Sequence, residues 1–183
     1  MTVKEHKPPK DTYEVTAGPT IFLAGPILGA RDWQHNAVEI FEQAYRGDKL
    51  LHLFNPRRDT FEGSNYEEQV RWEQEQLTKA ARVGALLFWF EPRNYDLPYP
   101  EGREYAKTTR KELGMAIGTI LFSRAVRIAV GIDPKVEDPE RYFRTTLDRL
   151  GIEVYQTLAD TCRSAVESLE RSPRAMFDKP KLP

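Results

Sequence analysis

Cysteine is nearly absent. Cys162 stands alone, which excludes an internal disulfide and any zinc site built from several thiolates. Histidine is sparse and scattered. His6 falls in a polar N-terminal arm, His35 on a helix surface and His52 in a strand, so they read as structural residues, and no metal ion is expected. A charge excess of one sign is also missing. The formal net charge of -1 leaves no general basic field for nucleic acid. No apolar run approaches the ~20 residues that span a bilayer. Met1–Pro19 is polar and charged, unlike a signal peptide. The expectation is a cytoplasmic protein with neither nucleic acid nor membrane as partner.

Several chemical signatures are missing as well. No glycine-rich segment ends in Lys-Ser/Thr, so there is no Walker phosphate loop. Gly25 and Gly29 do not have the spacing of a dinucleotide fingerprint. No Gly-x-Ser-x-Gly elbow occurs. Carboxylates, an asparagine, arginines and aromatics remain. These suit glycosyl chemistry, in which two carboxyl groups suffice and neither metal nor cofactor is needed.

A chain of 183 residues with 40% hydrophobic and 30% charged residues can bury a full single-domain core. Residues 1–19 read as a flexible arm, with a short extended piece at Tyr13–Val15. Residues 20–170 read as one domain, and 171–183 as a frayed tail rich in proline. Within the domain, apolar runs of strand length alternate with helical periodicity. The strands are expected at Thr20–Ala24, Leu50–Phe54, Val83–Phe90, Ala125–Val130 and Ile152–Tyr155. The helices are expected after Asp32 as far as Ala44, over Tyr66–Ala81, from the Glu112 region to about Ser123, from Asp138-Pro139 to Leu150, and over Thr157–Glu170. Gly131 is expected to end the fourth strand. Strand and helix alternating in this way imply a five-stranded parallel α/β sheet with helices on both faces. Ligands bind such sheets outside the carboxyl ends of the strands. Gly25-Pro26, Asn55-Pro56-Arg57 and the long loop Glu91–Lys107 should therefore converge there with Glu112.

Glu112 lies where that loop turns into a helix that carries Leu113 to Phe122. In a first turn, free N–H groups and the positive helix end favour an ionised carboxylate, which can act as a nucleophile toward a sugar carbon. Thr109-x-x-Glu112 also fits a capping box, in which the same side chains only close the helix end. Glu73 falls on the apolar stripe formed by Val70, Leu77, Ala80 and Ala81, with Trp72 and Gln76 on an adjacent face. A carboxyl there should point toward the sheet and Glu112, and of the two it should be the one that keeps a proton. An ion pair at the edge of the stripe is the competing role for Glu73.

A run of ordered motifs resembles the nucleoside 2-deoxyribosyltransferase family, within it the bacterial 2-deoxyribosyltransferase-like branch. They are Ile21-Phe-Leu-Ala-Gly-Pro26, Trp33, Asn55-Pro-Arg-Arg58, Gln69-Val-Arg-Trp-Glu73 with Leu77, Leu87-Phe-Trp-Phe90 and Thr108-Thr-x-x-Glu-Leu-Gly114. Similarity continues through Arg141-Tyr-Phe and Leu150-Gly-Ile-x-Val-x-x-Thr-Leu158. The resemblance implies a flavodoxin-like fold and a retaining double displacement at C1′ of a 2′-deoxynucleoside. Glu112 is then the nucleophile, and a free nucleobase the second substrate. It implies Glu73 as the supporting carboxyl, since the family's Asp position before Leu77 is Gln76 here. The substrate-binding candidates are Phe22, Gly25, Pro26, Asn55, Arg57, Gln76, Thr108 and Thr109.

Two departures stand out. The family's proton-transferring Asp, six residues before the nucleophile, corresponds to Ala106. An aromatic hydroxyl of relatives is replaced by Phe22. Arg31, Arg57 and Arg58 offer a place for a phosphate. Open alternatives are a nucleoside or nucleotide N-glycosidase and a non-catalytic nucleotide-derivative binding module. Relatives also imply a homo-oligomer, a dimer or a multiple of it, with contacts expected around Trp33 and Trp72.

Overall fold

The computed structural model describes residues 2–8, 18–58, 65–123, 126–136 and 141–171. Its elements are β1 (Val3–His6), β2 (Thr20–Ala24), α1 (Trp33–Ala44), β3 (Leu51–Phe54), α2 (Tyr66–Val83), β4 (Ala85–Phe90), α3 (Lys107–Ser123), β5 (Ile128–Ile132), α4 (Arg141–Arg149), β6 (Val154–Tyr155) and α5 (Leu158–Glu170). All strand pairs are parallel, in the order β1-β3-β2-β4-β5-β6. Without β1 this is the flavodoxin-like order, with its switch point between β2 and β4. The core residues fall into two layers. One joins Phe22, Phe54, Phe88 and Phe90 to Trp72 of α2 and Leu113, Ile117 and Ile120 of α3. The other joins Ile21, Leu23, Leu87 and Trp89 to Trp33 and Phe41 of α1 and Cys162 and Ala165 of α5. Strand side chains alternate between the layers, as the period of two requires. The central strand β4 is buried along its whole length, which is why its sequence is apolar without alternation.

The sheet has six strands, not five. Val3–His6 pairs in register with Leu51–Phe54. Val-Lys-Glu-His carries no strand periodicity of its own. Backbone bonding to β3 and burial of Val3 and His6 hold it in place. His6 is thus a buried residue, with its Nε2 3.0 Å from Nδ1 of His52. The extended piece expected at Tyr13–Val15, the helix start at Asp138-Pro139, the strand start at Ala125 and the tail beyond Arg171 lie outside the described residues. Val83 ends α2 and does not begin β4; it is exposed. Gly131 lies inside β5 and does not terminate it. A Cβ there would stand 2.0 Å from Thr161 Oγ1, so the glycine lets α5 settle onto the sheet. Among the described residues no helix is long and apolar enough to cross a membrane.

Candidate active site

At the carboxyl ends of β2 and β3, Arg57 joins two loops. Its Nη2 donates to the carbonyls of Ile27 at 3.3 Å and Arg31 at 2.9 Å. Its Nε donates to Gln34 Oε1 at 2.9 Å and lies 3.2 Å from Asp32. Burial lowers the guanidinium pKa, and the Asp32 charge opposes that shift. Asn55 is buried just before it. Its Oδ1 accepts from the Arg57 amide at 2.8 Å, and its Nδ2 donates to Glu5 of β1 at 2.6 Å. Both side chains are therefore committed to the scaffold. Gly25 sits where a Cβ would come within 2.3 Å of the Trp33 ring and 2.5 Å of the Trp89 carbonyl. The Pro26 carbonyl accepts from Trp33 Nε1 at 2.9 Å.

The loop between β4 and α3 folds back onto this corner. Asn94 N–H donates to the Gly29 carbonyl at 2.8 Å. Gly29 has φ +68, and a Cβ there would meet the Tyr99 ring at 2.7 Å. The Arg93 guanidinium lies 4.7 Å from the Tyr95 ring centre and 4.6 Å from that of Tyr99, a cation–π arrangement. Tyr105 Oη donates to the Glu91 carbonyl at 2.8 Å. Arg110 donates to Glu104 at 2.9 Å and to the Tyr105 carbonyl. The three loops expected to converge are thus physically joined.

Helix α3 starts earlier than its sequence suggests. The Arg110 amide donates to the Ala106 carbonyl at 3.0 Å, which makes Ala106 the cap, with φ 55. Thr109 is then a buried helical residue and Thr108 an exposed one. Glu112 lies in the second turn, past the reach of the positive helix end. Neither the capping box nor first-turn stabilisation of the Glu112 carboxylate applies.

Glu112 is partly buried. Burial, and next the charge of Glu73, push its carboxyl up to about 8. Glu73 on α2 is raised too, by burial, but the Gln69 amide and the Arg58 charge pull the other way. Gln69 Nε2 donates to Glu73 Oε1 at 2.6 Å. Glu73 therefore ionises first and Glu112 keeps the proton, the reverse of the expectation from sequence. The helix end does not reach Glu112, whereas Glu73 has a donor and a nearby cation.

The buried row of α2 is Trp72, Gln76 and Ala80, with Glu73 and Leu77 flanking it, so the adjacent face named from sequence is the central one. Gln76 Oε1 and Arg58 Nε are buried without hydrogen-bond partners among the described residues, and both can still bond to a polar ligand. Phe22 is 1% exposed and belongs to the core layer of Phe54 and Leu86.

Two further groups at the carboxyl edge of the sheet had no role assigned from sequence. Gln69 precedes Glu73 by one helical turn, a spacing at which side chains meet. Glu91 follows the central strand directly, where burial raises its carboxyl and the Trp89 indole donates to it at 2.8 Å. Among the described residues no group of three or more His, Cys, Asp or Glu side chains could hold a metal ion.

Residues 18–120, more than half of the 183, match a family model described as nucleoside 2-deoxyribosyltransferase like. No curated protein matches the chain.

Proposed function

We propose that this chain, which belongs to the nucleoside 2-deoxyribosyltransferase-like family, is a nucleoside 2′-deoxyribosyltransferase with Glu112 as its nucleophile. The observation that carries this reading is the carboxyl pair. Glu112 and Glu73 come from different helices, yet the charge of one raises the other, as in a site where two carboxyls share a proton. Glu112, which holds the pair's proton, gives it up to solvent and attacks C1′ in its ionised form. A C1′–O bond forms to the carboxylate, and the C1′–N bond breaks with its electron pair on the departing base, which takes a proton from solvent. A second base then attacks C1′ from the opposite side, displaces the carboxylate and loses its own N–H proton. Two inversions give net retention.

Ala106 carries no titratable group where relatives are expected to hold an acid, so the departing base takes its proton from solvent. Incubation with 2′-deoxynucleosides, with and without an acceptor base, tests the reaction by chromatography. A new nucleoside is expected. Free base formed without acceptor marks an N-glycosidase on the same carboxyl pair. Ligand-induced thermal stabilisation without either product marks a binding module. A slow 2-fluoro analogue should leave a sugar adduct on Glu112 detectable by mass spectrometry.

A further inference from the structure

Strand β1 is an addition to the sheet. It precedes residues 18–120, which carry the family match, and it stands outside the flavodoxin-like strand order. In register, Glu5 lies opposite Leu53 of β3. Side chains alternate along both strands, so Val3 and Glu5 share the face of Leu51 and Leu53. The next position on that face, at the carboxyl end of β3, is Asn55. A carboxylate on a half-buried face needs partners, and this one has two. Glu5 Oε1 accepts from Asn55 Nδ2 at 2.6 Å, and Oε2 lies 3.8 Å from Lys7 Nζ. Backbone pairing and the burial of Val3 and His6 already hold the strand, so the carboxylate is not needed to keep β1 in the sheet.

The contact fixes more than one hydrogen bond. An asparagine can present either its oxygen or its NH2 to a neighbour, whereas an ionised carboxylate can only accept. Glu5 therefore draws the NH2 of Asn55 toward β1. Asn55 Oδ1 is thereby turned to the Arg57 amide, from which it accepts at 2.8 Å, closing an Asx-turn. The backbone of Asn55 is held from the same side, since its N–H donates to the His6 carbonyl at 2.9 Å. From that turn the Arg57 guanidinium reaches the Ile27 and Arg31 carbonyls and Gln34. A line of contacts thus runs from β1 through Asn55 and Arg57 to the loop after β2, along the edge where such sheets bind ligands.

We propose that Glu5 is a positioning residue for the site: it sets the orientation of the Asn55 amide and, through it, the turn that carries Arg57. The proposal rests on the deoxyribosyltransferase reading only for the choice of substrate. Glu5→Leu removes the acceptor and suits a face shared with Val3 and Leu53, whereas Glu5→Gln still offers an oxygen. In Glu5→Leu, hydrogen exchange of the Arg57 amide, followed by NMR on the full chain, should accelerate about tenfold, as on loss of one hydrogen bond to a charged group. Exchange of the β4 amides should not change. KM for a 2′-deoxynucleoside should rise by a similar factor with kcat within about twofold, because the carboxyl pair on α2 and α3 is untouched. Glu5→Gln should bring both quantities back toward wild type. Should Glu5→Leu fail to fold, Glu5→Ala takes its place in the same measurements. An unchanged Arg57 exchange rate, faster exchange with an unchanged KM, or a Glu5→Gln protein that behaves like Glu5→Leu would each overturn the proposal. If the wild-type chain turns over no deoxynucleoside, that reading of the reaction fails, and the exchange rates alone decide on Glu5.

Discussion

The carboxyl of Glu112 is held near pH 8 by its burial and by the charge of Glu73, which lies on a different helix and is itself tied to Gln69. Glu73→Gln removes that charge and should lower the Glu112 pKa. The acid limb of the pH–rate profile should then shift to lower pH, and the amide should retain more activity than Glu73→Ala, because it keeps a hydrogen-bonding group in place. A profile that does not move on removal of Glu73 would separate the two residues functionally.

The same pKa links to stability. A carboxyl whose folded pKa is raised stabilises the fold fully below its unfolded value, ordinarily ~4.3. That contribution is lost as pH rises through the folded value of about 8. Glu112→Gln should therefore stabilise the protein more at pH 9 than at pH 5. About 1 kcal/mol moves the melting temperature of a chain of this size by ~2–4 °C, so the difference is measurable by calorimetry. Equal shifts at both pH values would argue against a buried, coupled carboxyl. Activity should vanish in the same variant, the usual exchange between stability and function.

Arg57 and Asn55 should behave as scaffold before they behave as ligands. Arg57→Ala strips a donor from the Ile27 and Arg31 carbonyls and from Gln34. Groups left unpaired in this way cost about 1–3 kcal/mol. Thermal unfolding of Arg57→Ala and Asn55→Ala should show that loss alongside any rise in KM. A changed KM at unchanged stability would instead assign these side chains to substrate binding.

Ala106 caps α3 in a left-handed conformation, which costs an L-residue roughly 1–2 kcal/mol. Ala106→Gly should recover about 0.5–1 kcal/mol after the greater chain entropy of glycine is deducted. Ala106→Val should destabilise, because a branched Cβ is least tolerated there. Denaturant unfolding of the three proteins gives the order. Valine at least as stable as alanine would mean that the cap is relaxed.

Much of the scaffold was readable along the chain because its signals are local. The unbroken apolar run ending at Phe90, the period of the helix after Asp32, and the turn residues after Ala24 and Phe54 each declare an element from its own composition. From their order follow the parallel sheet and its ligand-binding edge. β1 was not readable, because Val3–His6 gains its strand from the backbone of β3 and not from its own side chains. Contacts with another copy were expected around Trp33 and Trp72, but packing puts both indoles inside, at 1% and 4% exposure.

At the site the division is sharper. The sequence by itself determined that Glu112 and Glu73 stand on separate helices that rise from the same edge of the sheet. Only the tertiary structure decided which of them keeps the proton, where α3 begins, and that Asn55 and Arg57 are bonded to Glu5, Gln34 and loop carbonyls. Periodicity records which face of an element is buried. A protonation state depends on desolvation and on charges brought near through space, and those distances exist only once the helices have packed.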